Sequence, residues 1–154
     1  MSDSDRQSIN PRRAGSVRQF VEARSWLVGF IPSPNVGCFK ILGGADHPFA
    51  HCFAMRRDER TGVWTLVEHS IAGLAVEVWN DQQAGAFIQH TMEHGHLLLV
   101  ASRRREVSLV APLLQTCTSV IKALLGVRAP WVFTPRGLHR QLVKLGAETI
   151  SEGP

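Results

Sequence analysis

The sequence predicts an α+β fold in which helices pack on an antiparallel β-sheet. Apolar segments with the alternation of strands follow one another closely between residues 26 and 79. Two of them, 49–55 and 63–69, flank a polar segment with Asp58 and Gly62 that is typical of a hairpin loop. The three helical patterns of the chain all follow residue 80. Strands that neighbour one another in sequence, followed by helices, indicate an antiparallel sheet with a helical layer.

Seven strands are predicted along the chain. They cover residues 26–30, 36–42, 49–55, 63–69, 74–79, 96–101 and 107–114. Pro112 interrupts the last strand and indicates an edge or a strand end. A helical or extended lead-in occupies residues 16–24, and Gly43-Gly44 is interpreted as a turn. Within 49–55, alternation places His51 on one face of the sheet and Cys52 on the opposite, core-facing side.

Each helix has its own boundary signals. Asp81 is the predicted N-cap of a helix that runs to about His94 and is closed by Gly95. Thr116 is the predicted N-cap of a helix that Gly126 ends, because glycine adopts the left-handed conformation at little steric cost. The apolar positions 117, 120, 121, 124 and 125 form one stripe, so the thiol of Cys117 points towards the core. A Thr-Pro pair at 134–135 starts a last helix that ends near residue 145.

Length and composition are those of one globular domain. The chain has 154 residues, of which 44% are hydrophobic and 19% charged. We predict a disordered leader at 1–15, a single domain at 16–146 and a flexible tail at 147–154. No apolar run approaches the ~20 residues of a membrane span, and the leader has no apolar signal-peptide core. These features predict no membrane span and a cytoplasmic or, for a phage-type protein, virion-associated location.

The charge and cysteine content exclude several classes. The net charge is +4, but no long basic stripe interleaved with aromatic residues and no nucleic-acid reader motif is present. We therefore expect no specific nucleic-acid partner, and we interpret 103–105, three consecutive arginines, as a solvated turn. The three cysteines are odd in number and contain no C-x-x-C, which argues against a disulfide framework and a cysteine zinc site. Cys38 and Cys52 are predicted to be core residues.

Cys117 and His51 are the candidate catalytic pair. A thiol in the first turn of a helix experiences the positive end of the helix dipole and unpaired amides, and both favour the thiolate. A histidine on a facing strand supplies a base, and a third group normally orients it. Glu68 and His69 lie on the neighbouring strand, and the spacing does not choose between them. The alternative is that Cys117 is a small buried hydrophobe.

The order of these pieces resembles the circularly permuted NlpC-like papain fold, which includes the lecithin retinol acyltransferase-like proteins. The matching pieces are the histidine strand 51–55, the polar strand 64–69 and the cysteine helix 117–122, in an order that is reversed relative to ordinary papain-like enzymes. Residues 122–142 also look like small phage-type proteins of this kind. The chain differs from the permuted acyltransferases in lacking Asn-Cys-Glu-His at the nucleophile, because Thr116 and Thr118 flank Cys117.

The resemblance implies a thiol hydrolase or acyltransferase that needs no cofactor and acts on an amide or ester. The substrate would be a peptidoglycan stem peptide, another peptide or a lipid acyl group. His51 would move the proton, and the amide of Cys117 would help to stabilise the oxyanion. The alternatives are a non-catalytic phage-type structural or assembly protein on the same fold, and a module that binds an anionic partner. The sequence does not identify any partner protein.

A second constellation is formed by His90, His94 and His96. His90 and His94 have the one-turn spacing of two zinc ligands, but the H-E-x-x-H pattern is missing because Glu93 precedes the second histidine. We therefore predict no metal site and interpret these residues as a polar helix end. Trp64 and Trp131 are interpreted as core or rim aromatics, with lining of a substrate groove as the alternative.

Overall fold

One antiparallel sheet organises the part of the chain that the structure describes. The computed structural model describes residues 25–32, 49–70, 72–101 and 116–150. Its elements are β1 (Ser25–Ile31), β2 (His51–Arg57), β3 (Trp64–Ser70), β4 (Gly73–Trp79), α1 (Asp81–His94), β5 (His96–Ala101), α2 (Cys117–Leu125), α3 (Pro135–Lys144) and β6 (Glu148–Ile150). The six strands follow the order β4-β3-β2-β1-β5-β6, and every pairing is antiparallel. The predicted α+β class with an antiparallel sheet is thus confirmed.

The β2–β3 hairpin fixes which residues lie side by side. Asp58 closes the turn: its N–H donates to the carbonyl of Val63 and its carbonyl accepts from Gly62. Gly62 has φ of 73°, a conformation that glycine adopts without a steric penalty. The resulting register pairs Phe53 with Glu68. The hairpin therefore brings the start of β2 and the end of β3 to the same end of the sheet.

The sheet separates two hydrophobic layers. We call one side the cysteine face, which consists of Val28, Phe30, Cys52, Ala54, Leu98 and Val100 and is covered by the buried residues of α2 and α3. We call the other side the α1 face, which consists of Leu27, Phe53, Met55, Leu66 and Leu97 and is covered by Ala84 and Ile88 of α1. This two-sided coverage explains why the central strands are almost continuously apolar.

The ends of α2 are as the sequence predicts. The Thr116 hydroxyl accepts from the amide of Ser119 at 3.1 Å, and the Ser119 hydroxyl accepts from the amide of Thr116 at 2.8 Å. This reciprocal capping satisfies two first-turn amides. Gly126 ends the helix in the left-handed conformation, with φ of 68°. Cys117 is therefore the first residue of a helix whose start is well defined.

The N-cap of α1 corrects the prediction by one residue. Asn80, not Asp81, occupies the cap: its side chain accepts from the amide of Gln83 at 2.9 Å, and the Gln83 side chain accepts from the amide of Asn80 at 3.1 Å. Asp81 instead accepts from the indole Nε1 of Trp64 and from Arg57. Asn and Asp are both common N-cap residues, and here Asp81 binds Trp64 while Asn80 caps the helix.

The predicted flexible tail 147–154 is wrong for part of its length. Glu148–Ile150 forms β6, which pairs with β5 and places Ile150 against the hydrophobic layer of the α1 face. A single apolar side chain between polar neighbours gave no strand signal, and the pairing depends on the exposed edge of β5. Other predictions lie outside the described residues: the leader 1–15, the lead-in 16–24, the strands 36–42 and 107–114, the turn Gly43-Gly44, residue Cys38 and the arginine turn 103–105.

None of the described helices combines the length and the apolar character needed to cross a bilayer.

Candidate active site

The start of α2 and the start of β2 meet at one end of the sheet. Cys117 is the first residue of α2 and His51 is the first residue of β2. The side chain of Cys117 is 8% exposed and that of His51 is 21% exposed. The apolar stripe of α2, which begins at Cys117, packs on β2. The first residue of the helix and the first residue of the strand are thereby brought together. The predicted pair is therefore adjacent.

His51 contacts two groups that matter for proton transfer. Its ring interacts closely enough with the Cys117 thiol to lower the pKa of Cys117 and to raise that of His51. Its Nε2 lies 3.4 Å from Oε2 of Glu68. The result is a chain of three side chains, Cys117–His51–Glu68, in which a carboxylate faces an imidazole that faces a thiol. Nucleophilic sites use this arrangement of nucleophile, base and orienting group.

The choice between Glu68 and His69 as the orienting group follows from the register. Glu68 pairs with Phe53 across the hairpin, so it shares a side of the sheet with His51, two residues from Phe53 on the same strand. His69 has the opposite orientation and pairs with Leu74 of β4. Among the described residues, Glu68 supplies the carboxylate contact to the imidazole, and no hydrogen bond or ion pair joins His69 to this chain of side chains.

Cys52 lies beside Cys117 in the site, although the sequence analysis predicted only that it is a core residue. It is buried as predicted, but its thiol and its backbone N–H both lie close enough to the Cys117 sulfur to lower the pKa of Cys117. The expectation that neighbours in a strand face opposite sides separated Cys52 from the site. His51 is the terminal residue of its strand, so its ring reaches Cys117 from the end of the sheet while Cys52 reaches it from the cysteine face. The available signal was that Cys52 and Cys117 both point towards the same core.

The surroundings of Cys117 favour the thiolate. The pKa of Cys117 is lowered from 9.0 to about 4, although burial alone would raise it. The causes are the hydrogen bond from the Cys52 thiol, the hydrogen bond from His51, the N–H of Cys52 and the positive charge of His51. The pKa of His51 is lowered by burial, but its hydrogen bond to Cys117 and the negative charges of Cys117 and Glu68 raise it overall above 6.5. A pKa of about 4 makes the thiolate the form of Cys117 at neutral pH, and the raised pKa of His51 favours the imidazolium beside it.

His96 lies apart from the other two histidines of the second constellation. The rings of His90 and His94 are tilted against each other with centroids 4.4 Å apart, and Nδ1 of His94 is hydrogen-bonded to the carbonyl of His90 at 3.0 Å. His96 instead stacks on Phe49 and approaches His139. Within the described ranges, no group of three histidine, cysteine or acidic side chains is arranged to hold a metal ion.

The two tryptophans interpreted as core or rim aromatics lie in different environments. Trp64 is buried on the α1 side and is bonded to Asp81, so it is a core residue. Trp131 is 71% exposed in the segment between α2 and α3. A cavity of about 600 Å³ lies at the other end of β2, lined by Trp26, Thr65 and residues 56–60. None of these residues belongs to the Cys117–His51–Glu68 chain.

Comparisons with known proteins add no family. The chain matches no protein-family model, no curated protein and no solved structure. The geometry of the site is therefore the basis for any functional conclusion.

Proposed function

We propose that this protein is a thiol hydrolase or acyltransferase that acts on an amide or ester bond, with Cys117 as nucleophile and His51 as general acid and base. The observation that carries this proposal is the contact of one imidazole with both the Cys117 thiol and the Glu68 carboxylate. We further propose that the fold is a permuted relative of the papain-like, NlpC-like enzymes. The strand order and the position of the cysteine helix after the histidine strand are compatible with it.

The mechanism begins from a preformed ion pair. The Cys117 thiolate attacks the substrate carbonyl carbon and forms a tetrahedral intermediate. The N–H of Cys117 is one of the first-turn amides without an intrahelical partner, so it is suited to bind the oxyanion. The His51 imidazolium donates its proton to the departing amine or alcohol, which leaves an acyl-thioester on Cys117.

The second half of the reaction uses His51 as a base. The neutral imidazole removes a proton from water in a hydrolase, or from an acceptor amine or alcohol in a transferase. The new oxygen or nitrogen attacks the thioester, and the thiolate leaves. Glu68 stabilises the imidazolium and holds the ring, because Nε2 is engaged by its carboxylate and Nδ1 remains for the proton transfer.

The first test is the rate of Cys117 alkylation by iodoacetamide as a function of pH, measured peptide by peptide in the full chain. We expect the rate to reach half its maximum near pH 4, because the pKa of Cys117 is lowered to about 4. His51→Ala should move this midpoint upwards, since a hydrogen bond and a positive charge are lost. His69→Ala is the matched control and should leave it unchanged.

A midpoint near the ordinary value of 9.0 would contradict the proposal. Cys117 would then be an unactivated core thiol, as its 8% exposure also allows, and a non-catalytic assembly protein would be the better account. If the thiolate is confirmed, peptide amides and acyl esters with chromogenic leaving groups distinguish the substrate classes. Formation of an acyl adduct on Cys117, lost in Cys117→Ala, would identify the nucleophile directly.

A further inference from the structure

A second thiol lies against the proposed nucleophile. Cys52 is fully buried in the cluster that also contains Cys117, and the interaction of its thiol with the Cys117 sulfur lowers the pKa of Cys117. Both residues belong to the same hydrophobic cluster between β2 and α2, and both are free thiols in this structure. Acyl transfer needs only one of them. Two thiols in direct contact, one ionised and one neutral, have a chemistry of their own.

The two thiols differ in accessibility and charge. Cys117 is 8% exposed and ionised, whereas Cys52 has no exposed surface. The hydrogen bond to Cys117, burial and the charge of Cys117 together raise the pKa of Cys52 well above 9.0, so Cys52 is a neutral thiol. Since the thiolate is the species that an oxidant attacks, a small oxidant reacts at Cys117 first.

We propose that Cys52 and Cys117 form a reversible disulfide when the protein meets hydrogen peroxide, and that this modification masks the nucleophile. In the first step the Cys117 thiolate attacks one peroxide oxygen. An S–O bond forms and the O–O bond breaks. The hydroxide that leaves takes a proton from solvent or from His51 and becomes water. Sulfur loses two electrons, and the product is the sulfenic acid of Cys117.

In the second step the sulfur of Cys52 attacks the sulfenic sulfur. An S–S bond forms, the S–O bond breaks, and hydroxide leaves with the Cys52 proton as water. The balance is two thiols and one hydrogen peroxide giving one disulfide and two water molecules. Oxidation of Cys117 also removes the negative charge that raises the pKa of Cys52. The pKa of Cys52 therefore falls once Cys117 has become a sulfenic acid, and this is the step in which Cys52 acts as the nucleophile.

The disulfide serves as protection as well as inhibition. A sulfenic acid without a partner thiol is oxidised further to sulfinic acid, which thiols do not reduce. A dithiol reductant cleaves the disulfide and regenerates both thiols. The loss of acyl transfer on oxidation rests on the proposed function, but formation of the disulfide depends only on the contact between the two sulfurs.

The test uses the full chain with Cys38→Ser, so that only Cys52 and Cys117 remain. The folded protein is treated with hydrogen peroxide, quenched, unfolded and alkylated, and then analysed by intact mass and peptide mapping. We expect the loss of two hydrogen atoms, a crosslinked peptide pair containing Cys52 and Cys117, no alkylation, and full recovery after dithiothreitol. Cys52→Ser in the same background should instead give a dimedone adduct on Cys117 when dimedone is added with the peroxide, and sulfinic acid when dimedone is left out.

Two outcomes would overturn the inference. One is a Cys38→Ser protein whose Cys52 remains alkylatable while Cys117 becomes sulfinic acid. The other is a protein whose two thiols both survive a peroxide excess that oxidises free glutathione. Circular dichroism melting curves of Cys52→Ser and Cys52→Ala verify that the fold persists, and the peptide map of the unsubstituted chain gives the same answer if a variant does not fold.

The two proposals fail separately. A disulfide that forms in a protein without acyl-adduct formation keeps this inference and removes the proposed function. An acyl adduct on Cys117 in a protein whose Cys52 stays reduced does the reverse.

Discussion

The carboxylate of Glu68 acts on Cys117 only through His51. Its contact with Nε2 and its charge help to raise the pKa of the imidazole, after the hydrogen bond and the charge of Cys117. A raised histidine pKa keeps the imidazolium present to higher pH, which is what a leaving-group acid requires. The contribution of Glu68 is thus electrostatic and positional, and it can be measured without knowing the substrate.

Glu68→Gln should therefore lower the pKa of His51. The amide keeps the shape of the side chain but removes its charge, so the imidazolium loses one of its partners. The pKa is read from the C2 proton of His51 by NMR titration, with Cys117 present. His69→Gln is the matched control on the next residue of β3. An unchanged His51 titration in Glu68→Gln would show that the 3.4 Å contact has no electrostatic effect.

Cys52 helps to lower the pKa of the Cys117 thiol. Its S–H and N–H both donate to the sulfur. Cys52→Ala removes the S–H and keeps the N–H, so we expect the alkylation midpoint of Cys117 to rise above the value of about 4 in the unsubstituted protein. Cys38→Ala, with its position outside the described residues, is the comparison variant. A midpoint that does not move would assign the low pKa to His51 and the backbone alone.

Some residues of the site could be predicted from the sequence and others could not. Cys117 was predictable because its cap, its apolar stripe and its closing glycine are all local signals. The choice of Glu68 over His69 was not, since a shift of one residue in register exchanges the two faces of a strand. Cys52 was missed because its core-facing position was read as packing alone, and the strand pattern does not record that α2 brings Cys117 beside it.

At the scale of elements, β1 and β2 approach closely at one glycine. A Cβ built on Gly29 would lie 2.0 Å from Cζ of Phe53, whose ring is fully buried over that position. The ring therefore occupies the space that a side chain on β1 would need. This contact fixes the position of β2, the strand on which His51 and Cys52 lie.

Gly29→Ala should destabilise the protein by about 1–3 kcal/mol, the usual cost of overpacking a core. Gly85→Ala is the control: a Cβ there meets nothing within 4 Å on an exposed helical position. It should stabilise the protein by roughly 0.5–1 kcal/mol through reduced backbone entropy of the unfolded chain. Urea unfolding of the two variants measures both effects, and equal signs would contradict the packing argument.

Lys122 links α2 to the segment that follows it. Its Nζ donates to the carbonyl of Ala129 at 2.9 Å and to that of Val132 at 2.7 Å, and it lies 5.7 Å from the ring centroid of Phe133. Burial lowers the pKa of this ammonium group. One side chain thus holds a connection that contains no regular secondary structure.

Lys122→Met should cost about 1–2 kcal/mol, because two carbonyls lose a charged donor while the aliphatic stem is retained. Lys144→Met removes an equivalent charge from the exposed last turn of α3 and should cost less. Thermal unfolding compares the two variants. A larger loss for Lys144→Met would mean that the carbonyl contacts of Lys122 contribute little.

At the scale of the whole molecule, the outer strand β4 is unlike the other long strands. Leu74, Val76 and Val78 are 57%, 60% and 70% exposed on the side of the sheet that carries the cysteine face. Val67, which pairs with Val76, is only 8% exposed. The hydrophobic layer of the described residues therefore ends between β3 and β4.

Val76→Lys should change the free energy of unfolding by no more than about 0.5 kcal/mol, as surface substitutions usually do. Val67→Lys, its cross-strand neighbour, should be strongly destabilising because it places a charge within the hydrophobic layer. Chemical denaturation of both variants gives the comparison. A large loss in Val76→Lys would show that this strand is covered in solution.

The sequence predicted the general architecture of the molecule better than its boundaries. Strong alternation in 63–69 and 96–101 and clear caps at Thr116 and Thr134 correspond to elements in the structure. The strand β6 has only three residues, and its formation depends on β5, which no local pattern records. Tertiary pairing of this kind is the part of a fold that propensity does not determine.

The groups that ionise Cys117 of α2 belong to β2, so the absorbance of the Cys117 thiolate reports on folding. At the long-wavelength edge of the far ultraviolet a thiolate absorbs more strongly than a thiol, and the unfolded chain has an ordinary cysteine pKa. Between pH 5 and pH 7 the absorbance of Cys117 should therefore appear only when α2 docks on β2, because His51 and Cys52 then reach the sulfur. Stopped-flow refolding can follow that docking event in real time, without an added fluorophore.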